Sequence, residues 1–141
     1  MENARFTLSM DKSKLDPSVI HAFLTESYWS KDCSMDNVLR RIENALCFGV
    51  YDNGKQIGFA RVISDKVTFA YIADVFILEN YRGQGLSKQL VTFILEQPDL
   101  QNLKRWLLAT RDAHGLYTQF GFSPLSNPEI WMDIMNPNTY K

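Results

Sequence analysis

Residues Arg82-Gly83-Gln84-Gly85-Leu86-Ser87 have the types and spacing of an anion-binding turn. The apolar run Phe69-Ala70-Tyr71-Ile72-Ala73-Asp74-Val75-Phe76-Ile77-Leu78 precedes them, and an amphipathic pattern from Leu86 to Glu96 follows. A strand therefore feeds a tight glycine turn, and the turn opens a helix. Without a Cβ, Gly83 and Gly85 let backbone N–H groups turn outward at no steric cost. The first N–H groups of a helix have no intrahelical acceptor, and the helix dipole is positive at that end. Together these features make a socket for an anion such as a phosphate.

Three kinds of glycine turn could be meant. A P-loop ends in Gly-Lys-Ser/Thr, but Gly85 is followed by Leu86 and Ser87. A dinucleotide fingerprint needs a small residue three places after its second glycine, and that position is Lys88. The third kind, Arg/Gln-x-x-Gly-x-Gly/Ala, fits residues 82–87 with serine in the last small position. Taken alone, the turn is explained equally well as an ordinary strand–helix connection, because short glycine motifs recur by chance.

A second cluster adds weight. Residues 106–122 begin with the apolar Trp106-Leu107-Leu108-Ala109, which reads as a strand ending near Thr110. Ala113, Leu116, Tyr117 and Phe120 then have the spacing of a helix of about two turns. Asp112 suits its N-cap, and Gly121 suits a left-handed stop. The order Ala113-x-x-x-Tyr117-x-x-x-Gly121-Phe122, coming after the 82–87 turn, resembles the GNAT superfamily of acetyl-CoA-dependent N-acetyltransferases. The resemblance runs through residues 46–135 and is most specific at 74–87 and 110–122.

The resemblance implies acetyl-CoA as cosubstrate and no metal. Backbone N–H groups of Arg82, Gly83, Gln84, Gly85, Leu86 and Ser87 would hold its pyrophosphate. The extended backbone at Phe76 and Ile77 would pair with the pantetheine arm as a further strand would, and an N–H near Ile77 would receive the oxyanion. Tyr117 falls at the family's general-acid position, to protonate the departing thiolate. Thr110 stands where relatives carry a cofactor-contacting Asn; threonine offers one donor in place of an amide's pair, so Thr110 serves in part or Asp112 substitutes. Tyr28 and Trp29 lie where the family builds the acceptor wall. Asp74 is an acid within an apolar strand, where an unpaired charge is costly. It is a candidate general base, or else the partner of an arginine such as Arg61. His114 reads more simply as a solvated histidine.

The wider sequence sets the frame. A chain of 141 residues, 45% hydrophobic and 13% aromatic, has the makings of one domain with a real core, residues 1–141. A net charge of −1 points neither to nucleic acid nor to an anionic membrane. No apolar run approaches the ~20 residues of a membrane span, and Met1-Glu2-Asn3-Ala4-Arg5 lacks the apolar core of a signal peptide. Cys33 and Cys47 have neither zinc nor disulfide-scaffold spacing, and two reduced thiols suit a cytoplasmic protein.

Arg5 to Met10 alternates as a strand. Asp16-Pro17 starts a short helix, and Ser34 caps a second bearing Met35, Val38, Leu39 and Ile42. Strands follow at 46–51 and 56–64, joined by Asn53-Gly54, a hairpin signal. Phe122 begins a closing strand, and the alternating Ile130-Trp131-Met132-Asp133-Ile134 forms the last one. The expected fold class is α+β: a mixed, mostly antiparallel sheet with flanking helices, whose two parallel strands splay apart as the resemblance implies. The expected function is acetyl transfer from acetyl-CoA to a primary amine of a small molecule. A CoA-binding sensor without turnover is the alternative, against which Tyr117 argues. The apolar C-terminal strand is a candidate homodimer face.

Overall fold

In the computed structural model, which describes residues 5–137, five strands form one sheet in the order β1-β2-β3-β4-β5. These are β1 (Phe6–Ser9), β2 (Leu46–Asp52), β3 (Lys55–Ser64), β4 (Phe69–Ile77) and β5 (Arg105–Leu108). The helices are α1 (Pro17–Leu24), α2 (Met35–Glu43), α3 (Leu86–Leu95) and α4 (His114–Thr118). The first four strands pair antiparallel, and β5 joins β4 in parallel. This is the mixed α+β architecture expected. Most of the Met1-to-Arg5 stretch read for a signal core lies outside the described residues.

Local chemistry fixes the ends of these elements. The Asp16 carboxylate accepts from the Ser18 N–H with Pro17 in the first turn of α1, and the Ser34 hydroxyl accepts from Asn37 N–H to start α2. Asn53 and Gly54, with φ of 48° and 88°, make the two-residue turn between β2 and β3. Apolar alternation then sorts the strands onto two cores. Leu86, Leu90 and Ile94 of α3 pack with Phe48, Val50, Ile57 and Ile72. Ile20 and Leu24 of α1 and Val38 of α2 pack with Cys47, Phe59 and Phe76. One sheet thus separates α3 from α1 and α2.

Two features of β4 open the sheet. Its pairing with β5 runs only from Phe69↔Arg105 to Ile72↔Leu108, although β4 continues to Ile77. Opposite it, Phe59 faces Phe76 and Arg61 faces Ala73, so Ala60 alone is matched by both Asp74 and Val75. That is a β-bulge, and its first residue, Asp74, sits at φ 56°. Aspartate tolerates this left-handed region better than most residues, and a bulge bends and over-twists its strand. β4 therefore leaves β5 behind, and a cleft opens between them.

The C-terminal expectation needs correction. No strand begins at Phe122, and residues 130–134 form none either; among the described residues the chain after α4 holds only a short 3-10 turn, Pro128–Ile130. Alternation gives that segment strand periodicity but supplies no partner edge.

Candidate active site

The 82–87 turn sits at one end of the cleft. Gly83 and Gly85 have φ of 81° and 79°, and a Cβ at either would meet nothing within 4 Å. Their backbones thus take a conformation that favours glycine and face open space. Among the described residues, the N–H groups of Gly83, Gln84, Gly85, Leu86, Ser87 and Lys88 have no acceptor within the protein. Arg82 differs from expectation. Its N–H donates to the Glu79 carbonyl at 3.2 Å, closing the preceding 3-10 turn, so this amide is already used. Its guanidinium Nε donates to the Ile77 carbonyl at 3.0 Å, tying the turn to the end of β4. The positive start of α3, with a row of free donors, suits a diphosphate.

Along the cleft from this turn runs a cavity of about 550 Å³ bounded by Phe23, Val75, Phe76, Ile77, Ser87 and Tyr117. Phe76 is buried, stacking on Phe23 with ring centroids 4.1 Å apart. Its side chain is core, and only its backbone is available to the cleft. Beyond the bulge the outer edge of β4 has no strand partner, which leaves backbone for an extended ligand to pair with. This cavity, the free amides and the unpaired edge fit a CoA-like molecule.

Tyr117 joins the separate parts of the site. It lines the 550 Å³ cavity, a second of about 390 Å³ on the far side of the bulge, and a third groove of about 540 Å³ beside β5. Phe122 holds its ring edge-on at 5.8 Å. The hydroxyl has no hydrogen-bond partner among the described residues. Burial pushes the phenol up to about 12, with a smaller contribution from Tyr28. The group therefore stays protonated at any working pH and acts as a donor.

Asp74 is engaged on every side. Its side chain is 2% exposed and pairs with Arg61 Nε at 2.7 Å and Arg41 Nη1 at 3.1 Å. The Trp29 indole N–H donates to the same carboxylate at 2.9 Å. This arrangement does not suit the general-base role expected for Asp74, because its lone pairs already serve three donors; the alternative, pairing with Arg61, is what the structure contains. The cluster instead fixes the loop that carries Tyr28 and Trp29. Arg41 also donates to the Ser30 hydroxyl at 2.9 Å, so the loop after α1 is anchored to β4 through Trp29 and Ser30.

Tyr28, on the same loop, is 46% exposed. Its ring meets Trp29 edge-on at 5.0 Å, and its hydroxyl accepts from the Arg111 N–H at 3.1 Å. The Arg111 guanidinium lies over the Tyr28 ring at 3.7 Å. This contact straps the α1–α2 loop to the β5–α4 loop across the mouth of the cleft. The 390 Å³ cavity lies beneath, bounded by Tyr28, Trp29, Tyr71, Asp74, Thr110 and Tyr117.

Asp112, the expected substitute for Thr110, borders the cavity that holds Ser87 and Arg82, whereas Thr110 itself borders the cavities of about 390 and 540 Å³. The Thr110 hydroxyl accepts from the Ala113 N–H at 3.1 Å and so closes the turn into α4. Asp112 is not the cap: Ala113 occupies that position without a side-chain bond. Sequence reasoning missed Arg41 and Arg111. Neither carries a local signal, since each acts on a residue far away in the chain.

The model of the acetyltransferase (GNAT) family matches residues 15–122, so this chain belongs to the GNAT acetyltransferases. A solved GNAT-family protein of Xanthomonas campestris pv. campestris is 45% identical, superposes with a TM-score of 0.94, and covers 99% of each chain. The "Putative acetyltransferase" of Gibberella zeae is 26% identical over 79% of this chain and 75% of its own. A GNAT acetyltransferase of Elizabethkingia anophelis, solved with acetyl-CoA bound, shares the fold at a TM-score of 0.66 and 16% identity, covering 88% of this chain and 80% of its own. Family membership makes the chain an acyltransferase. No helix among the described residues is long and apolar enough to cross a membrane.

Proposed function

We propose that the protein transfers an acetyl group from acetyl-CoA to a primary amine of a small molecule, with Tyr117 as general acid. The carrying observation is that one cleft joins unbonded amides at Gly83–Lys88 to the unbonded Tyr117 hydroxyl. Acetyl-CoA supplies the activated thioester. Gly83, Gln84, Gly85, Leu86 and Ser87 hold the diphosphate through backbone N–H groups, and the free edge of β4 at Phe76 and Ile77 pairs with the arm. An N–H on that edge faces the developing oxyanion. Tyr117 donates its proton to the departing sulfur. A phenol near 12 is a weaker acid than the thiol it forms, which lies near 8.5, so the transfer depends on the dry, fixed geometry around the ring.

The acceptor enters on the other side of the bulge, under Tyr28 and Trp29. A cavity of about 390 Å³ suits a small molecule. With Asp74 committed to its arginines, the amine's proton leaves to water in that cavity, and kcat/KM rises with pH until the amine itself is neutral. Two buried thiols, Cys33 and Cys47, suit a reducing cytoplasm.

The test is a thiol-release assay with acetyl-CoA and a panel of small amines. Tyr117→Phe is expected to lower kcat about 100-fold with KM little changed. CoA binding without turnover of any amine would instead favour a sensor.

A further inference from the structure

The cavity of about 390 Å³ under Tyr28 and Trp29 carries more positive than negative charge. Asp74 and Asp112 border it, and so does Arg111. Behind Asp74 stand Arg41 and Arg61, both paired with that carboxylate. Three guanidiniums thus face two carboxylates, and guanidiniums keep their charge at any working pH. The excess disfavours the protonated form of an amine held there. That helps an acceptor to become nucleophilic, but it gives a simple alkylammonium little reason to collect in the cavity. An amine that binds here needs a second handle.

Arg111 offers one. Its guanidinium carbon lies 3.7 Å from the centroid of the Tyr28 ring. That is stacking distance, and stacking leaves the five N–H donors at the edge of the guanidinium plane. Among the described residues these donors make no hydrogen bond and no ion pair; Arg111 is tied to the protein by its backbone N–H and its stacked face. Asp112, next to it in the chain, forms no ion pair with it. The Tyr28 hydroxyl accepts from the Arg111 backbone N–H at 3.1 Å and so keeps its own O–H to donate. Ring stacking also holds the fork in place before any ligand arrives, which lowers the entropy lost on binding.

The charges are ordered along the site. Asp112 borders both this cavity and the one that holds Arg82 and Ser87, whereas Arg111 borders only the first of the two. The unspent guanidinium therefore marks the end remote from the cofactor turn. We propose, building on acetyl transfer to an amine in this cleft, that the acceptor is a primary amine whose far end carries an oxyanion, a carboxylate or a phosphate, held by the Arg111 fork and the Tyr28 hydroxyl. Both anions match a guanidinium in paired, charge-assisted hydrogen bonds. Arg111 is then a residue that determines specificity.

The test is a ladder of ω-amino carboxylates from β-alanine to ε-aminocaproate, with n-alkylamines of equal chain length and aminoalkyl phosphates alongside. kcat/KM is compared per neutral amine. At the best length the anionic acceptor is expected to lead its uncharged counterpart at least about 10-fold, and whether the carboxylate or the phosphate series leads identifies the anion. Arg111 is exposed, and Arg111→Met keeps the backbone bond to Tyr28 while removing the fork. The variant is expected to lose the preference through KM for the acceptor, with KM for acetyl-CoA unmoved, and Arg111→Lys should restore part of it. Equal use of charged and uncharged amines at every length, or a preference that survives in Arg111→Met, would overturn the proposal. Calorimetric titration of the same carboxylates and phosphates into the CoA-bound protein reads the site without turnover. Dissociation constants at least about 10-fold higher in Arg111→Met are expected. If no amine is acetylated, the acetyl-transfer reading fails, while the anion site is judged by this titration: weaker binding in the variant supports it, and equal or absent binding overturns it.

Discussion

Asp74→Asn separates the two roles a buried acid in this cleft can have. Asparagine keeps the side-chain shape and tolerates the φ of 56° that the bulge requires. What it loses is the charge that faces Arg41 and Arg61, whose side chains are 9% and 17% exposed. Removing one member of a buried pair leaves uncompensated charge and costs about 3–5 kcal/mol. At about 3 °C per kcal/mol for a chain of this length, the melting temperature should fall by about 10–15 °C. The amide can still accept from the Trp29 indole, so the loss reports on the arginines. Adding Arg61→Met should restore part of the stability, with a coupling of about 1–3 kcal/mol in the double-mutant cycle. The assay is calorimetry of the four proteins of that cycle together with their kcat at a temperature where all are folded. A variant that melts within 2 °C or so of wild type while kcat collapses would refute the structural role and return Asp74 to the chemistry.

Three more outcomes are expected. Gly85→Trp should weaken CoA binding by at least about 100-fold while the far-ultraviolet circular dichroism stays native, because its side chain enters the open space above the turn; Gly85→Ala, which bears only the left-handed strain of about 1–2 kcal/mol, should keep most of the affinity, and equal loss in both would mean that strain, not occupancy, is at work. Tyr28→Ala should raise KM for the acceptor more than KM for acetyl-CoA, since it removes the strap to Arg111 over the acceptor cavity; the reverse order would move Tyr28 to the cofactor side. Stability should fall in alkali: burial pushes the Tyr51 and Tyr117 phenols up to about 12 and the Cys47 thiol up to about 11. The folded state then holds these protons to higher pH than the unfolded chain, so stability is full below about pH 9 and is lost as pH rises towards 12, by up to about 2–3 kcal/mol per group. Urea midpoints that stay flat from pH 8 to 11 would contradict those burials.

What could be read from the sequence follows the range of the interactions. The strand–turn–helix at 69–95 was legible because its determinants are local: apolar runs, two glycines and a helical face. The same holds for the Asn53-Gly54 hairpin and the Asp16 and Ser34 caps. The site beyond the turn was less legible. Asp74 meets Trp29 and Arg41 across 45 and 33 residues of chain, and nothing local to Arg41 marks it as a buried partner rather than a solvated helix charge. Thr110 is subtler. A hydroxyl three residues before a helical amide reads equally as a ligand contact and as a turn-closing acceptor, and the structure contains the second of these bonds. The final strand failed for a further reason: alternation reports a segment's fitness to be a strand, and a strand exists only where an edge receives it.

The cleft itself is a consequence of one residue's two commitments. Asp74 occupies a left-handed position that gives β4 an extra residue against β3, and the resulting bend ends the pairing with β5 at Ile72↔Leu108. A bulge carrying an apolar residue would bend the strand too, but it would leave the loop after α1 without an anchor. Because the bulged residue is an acid, it also draws in Arg41, Arg61 and the Trp29 indole, which fixes Tyr28 and Trp29 over the gap the bend has opened. Opening the sheet and walling the opening are thus set by the same carboxylate, with Tyr117 facing the gap from α4. Shape and stability are coupled here: a substitution that straightened β4 would close the backbone edge at Phe76 and Ile77 and release Tyr28 and Trp29 together. Loss of cofactor affinity and loss of acceptor affinity should then appear as one event in variants at Asp74, and as separate events in variants at Gly85 and Tyr28.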